Sequence, residues 1–392
     1  MSDFAQNGAI CTLQRLNSQH LSLLDSDWLP ALTQTAPISL ILPCHAPELQ
    51  RPALRHICAE LSAARWLRRA IIPINGLTAA EVPAARAFFR EHLPFEHTLL
   101  LTDAPALHAT LATAAGRSVD TLRPGKGLNV WAALGLLYAQ QIEGIFVLQD
   151  ADVLSFERST LARLCFAVAE PGLGFECAKM YYSRATDRLY GRVSRLFLSP
   201  LLHALNRVAG HLPLLDFIQC FRYPLAGECA LSARLAFSLP FHEGWALEIG
   251  MLCEVFRRVE PAHICQVDGG SGYDHKHQPA SGGLLQMCAE IASALLHQIA
   301  TEGCPLDDSF LHTLRRTLTR EGTEAVRRSV ALARINGLPL DSAHETATTE
   351  SFAAALPQCV PGAGLALPPW DSVARFAPET LLALGQQALV TT

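Results

Sequence analysis

The stretch IFVLQDADVLSF, residues 145–156, joins a run of apolar residues to two aspartates that a single alanine separates. Residues 145–148 favour β-structure and predict a short buried strand. Asp150 and Asp152 follow at its carboxyl end, which in an open parallel α/β sheet is the edge where ligands collect. Since a buried strand gains nothing from paired negative charge, this stretch predicts an α/β fold that holds a cationic group at that edge.

The Asp150–Asp152 pair admits two interpretations. A solvated acidic turn is the simpler one. Alternatively, alternation along an extended segment lets both carboxylates face one side, where a divalent cation that bridges to a diphosphate would relieve their repulsion. Taken alone, the pair does not decide between a turn and a metal site.

Strands and helices alternate through the first half of the chain. Residues 38–42, 71–74 and 98–102 each predict a short strand, and residues 48–70 carry helical spacing. This alternation is typical of a parallel α/β sheet. The first 37 residues show no clear periodicity, so we expect an N-terminal extension over residues 1–37.

The pattern changes in the second half of the chain. After residue 280 the sequence is rich in Leu, Ala and Arg at helical spacing, and we place a mostly helical region at 291–392 behind an α/β domain at 38–290. Within this region, residues 339–370 are rich in Pro, Gly, Ala and Thr and predict an irregular connection. A last short helix is expected near residues 378–389.

Composition narrows the class of protein. Half of the 392 residues are hydrophobic, 17% are charged and the formal net charge is −5, which favours a globular chain and argues against a nucleic-acid partner. No apolar run reaches membrane-spanning length, and residues 1–19 lack the features of a leader peptide. The twelve cysteines contain no C-x-x-C pair, so reduced thiols and a cytoplasmic location are expected.

Two basic features could hold an anion. Lys126 lies between two glycines just before a predicted helix, where it is either an ordinary lysine of a flexible turn or a phosphate contact; the Walker pattern is absent. The segment SRATDRLYGRVSRLF, residues 183–197, concentrates four arginines. They are Arg184, Arg188, Arg192 and Arg195, and the last three would share one face if the segment were a helix. The four arginines form either a solvated basic face or a binding site for a phosphorylated substrate.

Polar residues in apolar or extended surroundings give further candidates. His275 and His277 flank Lys276, and are either surface residues or, for one of them, a ligand of a divalent metal. Glu228 and Glu248 lie in apolar, glycine-punctuated segments, where a carboxylate either caps a helix or hydrogen-bonds a polar ligand.

Six blocks in one order make a more specific signal than any one of them. They are GKGLNVWAALGLL, VLQDADVLSF, YGRVSRLFLSPLL, YPLAGECALSARLAFSLPF, GWALEIGML and YDHKHQP. Over about residues 38–291 the chain resembles the glucosyl-3-phosphoglycerate synthases, which are retaining glycosyltransferases of the GT-A fold. The resemblance implies a Rossmann-like, mostly parallel sheet, transfer of glucose from UDP-glucose to D-3-phosphoglycerate, Mg²⁺ or Mn²⁺ as cofactor, and a homodimer.

The resemblance also implies residue roles on the donor side. Pro43 and Cys44 match the turn that contacts the uracil and ribose, and Lys126 matches the residue that holds the diphosphate or sugar. Asp150 and Asp152 match the Asp-x-Asp of the family, with Asp152 as a metal ligand. His275 matches the second protein ligand of the metal.

On the acceptor side, Gly191, Arg192 and Ser194 match the positions that grip the phosphate of 3-phosphoglycerate. Trp245 and Glu248 match positions near the transferred glucose and the acceptor hydroxyl. In a front-face mechanism the departing phosphate oxygen accepts the acceptor's proton, so Glu248 orients rather than attacks.

Several positions depart from the family pattern. Pro47 replaces an acidic residue after the first strand, which leaves Glu48 as the candidate, and Tyr273 stands near a family arginine. Trp245 occupies a position that is often tyrosine. Three alternatives therefore stay open: another donor such as GDP-mannose, free D-glycerate as acceptor, and a non-catalytic nucleotide-sugar sensor.

Overall fold

The computed structural model describes residues 8–16, 23–274, 282–356 and 366–391. Within these residues nine strands form one sheet, in the order β1-β9-β7-β8-β6-β2-β4-β3, with β5 paired to β4. The strands are β1 Cys11–Leu13, β2 Ile38–Ile41, β3 Cys44–His45, β4 Leu67–Asn75, β5 Glu96–Leu101, β6 Ile145–Leu148, β7 Cys177–Tyr181, β8 Cys229–Ser232 and β9 Ile264–Asp268.

The sheet is mostly parallel, as the sequence predicts. Strand β8 alone runs antiparallel to its neighbours β6 and β7, while the other paired strands are parallel. The amino-terminal end of β8 therefore lies at the same edge as the carboxyl ends of β6 and β7. Residues before β8 are brought beside Asp150, which follows β6.

Helices cover both faces of the sheet. They are α1 Leu29–Leu32, α2 Pro52–Ser62, α3 Val82–His92, α4 Pro105–Ala114, α5 Lys126–Ala139, α6 Arg158–Ala169, α7 Ser199–Ala209, α8 Pro213–Cys220, α9 Ala233–Ser238, α10 Leu247–Arg258, α11 Gly282–Thr301, α12 Asp308–Ile335, α13 Ser342–Ala354, α14 Trp370–Phe376 and α15 Pro378–Thr391. Along β6, Phe146 and Leu148 enter one hydrophobic core and Ile145 and Val147 enter the other, because successive side chains of a strand point to opposite faces.

The structure refines the predicted organisation of the two ends of the chain. Strand β1 pairs with β9, so part of the first 37 residues extends the sheet. Helix α11 continues across residue 290, and the division into 1–37, 38–290 and 291–392 stays a proposal. The prediction of an irregular connection over 339–370 is wrong for α13, which begins after Asp341 accepts a hydrogen bond from the His344 backbone N–H. No helix of the described residues combines the length and apolar character needed to cross a bilayer.

The C-terminal region is fastened to the helix that carries Lys126. Trp370 of α14 stacks on Trp131 of α5 with ring centroids 4.4 Å apart. Each indole N–H donates a hydrogen bond to a carbonyl of the opposite segment, Trp370 to Trp131 at 2.7 Å and Trp131 to Pro368 at 2.8 Å. Gly135, one turn further along α5, leaves space for the Trp370 ring, with which a Cβ atom would collide.

Replacing Gly135 by alanine is expected to lower the melting temperature, because the added methyl group overlaps Trp370 in a closely packed core. Overpacking costs about 1–3 kcal/mol and outweighs the helix propensity that alanine adds. The matched control is Gly385→Ala in α15, where the new Cβ would meet only the Ala139 Cβ at 4.0 Å. Thermal unfolding by circular dichroism should separate the two variants, and equal melting temperatures would contradict the packing described.

Candidate active site

A cavity of about 890 Å³ opens at the sheet edge where β6 ends. Ten residues singled out from the sequence line it together: Lys126, Asp150, Asp152, Arg184, Arg188, Gly191, Arg192, Ser194, Trp245 and Glu248. They come from the start of α5, the loop after β6, the segment before α7 and the start of α10. The structure thus brings part of the predicted donor site and the predicted acceptor residues into one space.

Lys126 is the charged centre of this cavity. Its Nζ atom lies 2.6 Å from Asp150 Oδ1 and 2.8 Å from Glu248 Oε1, and about a quarter of its side chain is exposed. Burial on its own lowers the pKa of the Lys126 ammonium, but the charges of Asp150 and Glu248 outweigh it and hold that pKa well above its ordinary range. The ammonium is therefore charged at any physiological pH. The sequence indicated each of the three residues but not their contact.

The turn before β8 packs against the Lys126–Asp150 ion pair. At Gly227 a Cβ atom would collide with the Asp150 carboxylate and the Lys126 ammonium, so the absence of a side chain makes room for both. The preceding carbonyl, that of Ala226, accepts a hydrogen bond from the fully buried Lys179 of β7. Lys179 thus fixes the turn that Gly227 belongs to.

A buried carboxylate organises the floor beside Asp150. Glu228 is fully buried and accepts hydrogen bonds from the Tyr182 hydroxyl at 3.1 Å and from the Gln149 amide at 3.4 Å. Tyr182 stacks on Tyr273 with ring centroids 3.9 Å apart. Burial, followed by the charge of Glu228, raises the pKa of both tyrosines well above its ordinary value, so they stay neutral donors. Glu228 neither caps a helix nor lines the cavity.

The loop that carries Trp245 is held by charged groups on other elements. The Trp245 backbone N–H donates to Glu290 of α11 at 2.8 Å, and a Cβ atom at Gly244 would collide with that carboxylate. Glu243 forms an ion pair with Arg117 at 3.1 Å. Its carbonyl also accepts a hydrogen bond from the Gly127 N–H at 2.9 Å, which joins this loop to the start of α5.

The arginine-rich segment does not form the continuous helix that would place three arginines on one face. Residues 184–190 form a tight hairpin, and a π-helical turn follows at Val193–Leu198. Arg192 lines the cavity and its Nη1 donates to His344 Nε2 of α13 at 3.3 Å. Arg195 instead pairs with Glu345 and bonds Ser329 Oγ at 2.9 Å. The C-terminal region therefore closes one end of the cavity.

Three residues of the predicted donor site lie outside this cavity. Pro43 and Cys44 follow β2 at the same sheet edge, and the Cys44 thiol is buried, which raises its pKa strongly. Glu48 is buried as well and pairs with Arg51 at 2.9 Å. These side chains do not line the cavity around Lys126, and their contact with a uridine stays a prediction.

The predicted metal site is described only in part. Asp152 lines the cavity and offers oxygen ligands of the kind that Mg²⁺ and Mn²⁺ prefer. His275 and His277 lie outside the described residues. No group of three His, Cys, Asp or Glu side chains among the described residues is arranged to hold a metal ion.

Sequence reasoning missed four groups of this site. The first is Gly227, for which the glycine in PLAGECALS was the available signal, and the second is the stacking of Tyr182 on Tyr273. The third is Lys179, which reads as an ordinary strand residue. The fourth is the His344 and Glu345 pair, separated from the arginines it contacts by 150 residues or more, so no local pattern could reveal it.

Comparison with known proteins shows which family the chain belongs to. The glucosyl-3-phosphoglycerate synthase of Persephonella marina is 34% identical over 360 residues, which cover 91% of this chain and 89% of the relative. The chain belongs to the glucosyl-3-phosphoglycerate synthase family. The synthase of Methanococcoides burtonii is 31% identical over 332 residues, covering 82% of this chain and 81% of the relative. A search against protein-family models gave no match.

Solved structures of the glucosyl-3-phosphoglycerate synthase from Mycobacterium tuberculosis share the GT-A fold of this chain. Its complex with Mn²⁺, UDP-glucose and phosphoglyceric acid matches with a TM-score of 0.55 at 23% identity, over 76% of this chain and 89% of that one. Its complex with Mn²⁺, UDP-glucose and glycerol 3-phosphate matches with a TM-score of 0.53 at 24% identity, over 76% and 90%. This likeness confirms the fold expected from the sequence.

Gly227→Ala is expected to disrupt the Lys126–Asp150 contact without unfolding the protein, because the new methyl group meets the mobile ends of two side chains. Loss of a positioned charge of this kind lowers turnover by about 100-fold. The rate of UDP release from UDP-glucose in the presence of 3-phosphoglycerate is the measurement, beside a melting curve. Gly385→Ala serves again as the control, and a fully active Gly227→Ala variant would show that the ion pair is dispensable.

Glu345→Gln is expected to destabilise the protein, because Arg195 then stays buried without its counter-charge. Only 19% of the Arg195 side chain and 8% of the Glu345 side chain are exposed, and breaking a buried pair costs about 3 kcal/mol. Glu324→Gln is the matched control, since the Glu324–Arg327 pair is exposed at 45% and 73% and is worth less than about 1 kcal/mol. Urea unfolding should show the larger loss of stability for Glu345→Gln, and equal stabilities would contradict a stabilising role for the Arg195–Glu345 pair.

Proposed function

We propose that this chain transfers glucose from UDP-glucose to D-3-phosphoglycerate, with retention of configuration, to give glucosyl-3-phosphoglycerate. The observation that carries the proposal is one cavity with Lys126, Asp150 and Asp152 at one side and Arg192 at another. A diphosphate and a small phosphorylated acid each require cationic partners, and the cavity provides them within one space. Membership of the synthase family supports the same reaction.

On the donor side, Lys126 binds the diphosphate of the sugar nucleotide. Its ammonium is held by Asp150 and Glu248, so it is already in place when the donor arrives. During transfer, negative charge grows on the departing UDP, and a fixed cation stabilises that charge more than the charge of the intact donor. This differential is the contribution of Lys126 to the rate.

Asp152 and, outside the described residues, His275 are the proposed ligands of a divalent metal. When bound, Mg²⁺ or Mn²⁺ supplies a Lewis acid that neutralises the diphosphate. Asp150 is engaged with Lys126 and is assigned to positioning that lysine. The ion pair with Lys126 keeps the Asp150 carboxylate from competing for the metal.

On the acceptor side, Arg192 and the Gly191–Ser194 segment hold the phosphate of 3-phosphoglycerate. Glu248 lies at the start of α10, 2.8 Å from Lys126, and orients the glucose and the acceptor hydroxyl. The proton of that hydroxyl passes to the departing phosphate oxygen, so that no strong general base is needed. Trp245, with 39% of its surface exposed, covers the sugar from the loop before α10.

Homodimeric assembly and a cytoplasmic location are part of the proposal. The free cysteines of the described residues support a reducing compartment, since none of them forms a disulfide. Light scattering on the purified protein tests the assembly state, and cell fractionation tests the location.

Incubating the purified chain with Mn²⁺ and a panel of sugar nucleotides tests the reaction. The acceptors are 3-phosphoglycerate and D-glycerate, and the product is identified by mass spectrometry. UDP-glucose with 3-phosphoglycerate is expected to give the fastest product formation. A faster reaction with GDP-mannose or with D-glycerate would change the assigned substrates, and ligand binding without product would indicate a sensor.

Variants of three residues separate the assigned roles. Asp152→Asn and Glu248→Gln keep the size of each side chain and are expected to lower kcat by about 100-fold or more, because both carboxylates act on the reacting groups. Arg192→Met is expected to raise KM for 3-phosphoglycerate and to leave KM for D-glycerate nearly unchanged. Wild-type turnover in both carboxamide variants would overturn the assignment. Steady-state rates of UDP release give all of these constants.

A further inference from the structure

A second arginine faces the cavity beside Arg192. Arg184 and Arg192 both line it, and the hairpin between them brings the two residues together. The Tyr190 N–H donates to the Arg184 carbonyl at 2.8 Å, and Gly191 then turns the chain with a φ of +67°. A Cβ atom built on Gly191 would lie 3.8 Å from both Cβ and Cδ of Arg184. The stem of Arg184 therefore runs alongside the proposed phosphate-binding turn.

The other two arginines of this segment have carboxylate partners. Arg188 pairs with Asp187 at 2.8 Å at the exposed tip of the hairpin, and Arg195 pairs with Glu345. Arg184 differs from them, since among the described residues no carboxylate forms an ion pair with it. Three arginines of the segment line the cavity: Arg184, Arg188 and Arg192. Of these, Arg188 has a carboxylate partner, and Arg184 and Arg192 form no ion pair among the described residues.

The surroundings of Arg184 favour an anion. The side chain is half-buried, and its Nε atom is buried with no hydrogen-bond partner among the described residues. Burial lowers the pKa of the guanidinium, but the Tyr223 hydroxyl, Tyr182 and Asp152 outweigh it and leave that pKa raised. A desolvated cation with an unmet donor is costly, and an anionic ligand in the cavity would offset that cost.

The proposed acceptor has two anionic groups, a phosphate and a carboxylate. The carboxylate is bonded directly to the carbon that carries the reacting hydroxyl, whereas a methylene group and an ester oxygen separate the phosphorus from that carbon. Arg184 lies three residues beyond the carboxyl end of β7, at the sheet edge where Asp150 and Asp152 follow β6. Arg192 contacts His344 at the far wall. The shorter arm of the acceptor thus matches Arg184, and the longer arm matches Arg192.

We propose, on the premise of the function given above, that Arg184 binds the carboxylate of 3-phosphoglycerate while Arg192 binds its phosphate. Arg184 is then the residue that selects an acid over the corresponding alcohol. An arginine suits this task because its planar guanidinium takes a carboxylate through two parallel hydrogen bonds.

Three ligands that carry both anionic groups or only one of them test which arginine binds which group. 3-Phosphoglycerate carries both groups, glycerol 3-phosphate only the phosphate, and D-glycerate only the carboxylate. Affinities are measured by calorimetry with Mn²⁺ and UDP present, for the wild-type chain and for Arg184→Met and Arg192→Met. Methionine keeps much of the apolar stem and removes the charge.

Arg184→Met is expected to weaken binding of 3-phosphoglycerate and D-glycerate by about 10- to 100-fold, the range of a charge-assisted hydrogen bond, and to leave glycerol 3-phosphate within about twofold. Arg192→Met is expected to give the opposite pattern, with glycerol 3-phosphate weakened and D-glycerate unchanged. Arg184→Lys, which keeps the charge, should recover part of the lost affinity. Arg327→Met, on an exposed part of α12 outside the cavity, controls for the loss of one positive charge.

Two results would overturn the proposal. One is an equal loss of all three ligands in Arg184→Met with an unchanged melting temperature, which would mean that Arg184 shapes the cavity without reading the carboxylate. The other is a loss of UDP-glucose affinity with acceptor affinity intact, which would assign Arg184 to the donor. If the wild-type chain binds none of the three acceptors, the proposed function itself fails, and that outcome is distinct from both.

Discussion

The contact of one ammonium with two carboxylates holds the active site of this chain together. Lys126, Asp150 and Glu248 come from the start of α5, the loop after β6 and the first turn of α10, and they meet within 2.8 Å. Three elements far apart in sequence are thereby tied at one point. Gly227 leaves the space that this contact needs, since any side chain at 227 would collide with Lys126 and Asp150. The buried Lys179 holds the turn that contains Gly227, because it donates a hydrogen bond to the Ala226 carbonyl.

The sheet was predictable because its signals are local. Runs such as residues 145–148 are apolar on both faces, which is what a strand between two helical layers requires, and Asp150 and Asp152 mark its carboxyl end. The direction of β8 was not predictable, because the same apolar run fits either orientation. That reversal is what brings Gly227 and Glu228 to the ligand-binding edge.

The predicted site residues fall into two groups for the same reason. Lys126, Asp150 and Glu248 stood out because charge in an apolar, glycine-rich segment is unusual. Arg184 stood out only as one of four arginines in a short segment, and His344 carries no local mark. Their relation to Arg192 depends on a hairpin and on a helix from the C-terminal region. Alanine and threonine dominate residues 342–354, and their weak periodicity hid a helix that the Asp341 cap and packing against α12 define.

The pairing of Lys126 with Asp150 and Glu248 has a consequence for selectivity among the many anions of a cell. With its charge already matched by two carboxylates, the lysine offers little net attraction to orthophosphate or to a nucleotide that arrives without its metal. A ligand that binds the Lys126 ammonium has to compensate the negative charges of Asp150 and Glu248. The electrostatics of the site thus disfavour binding of abundant metabolic anions and favour ligands that bring compensating positive charge with them.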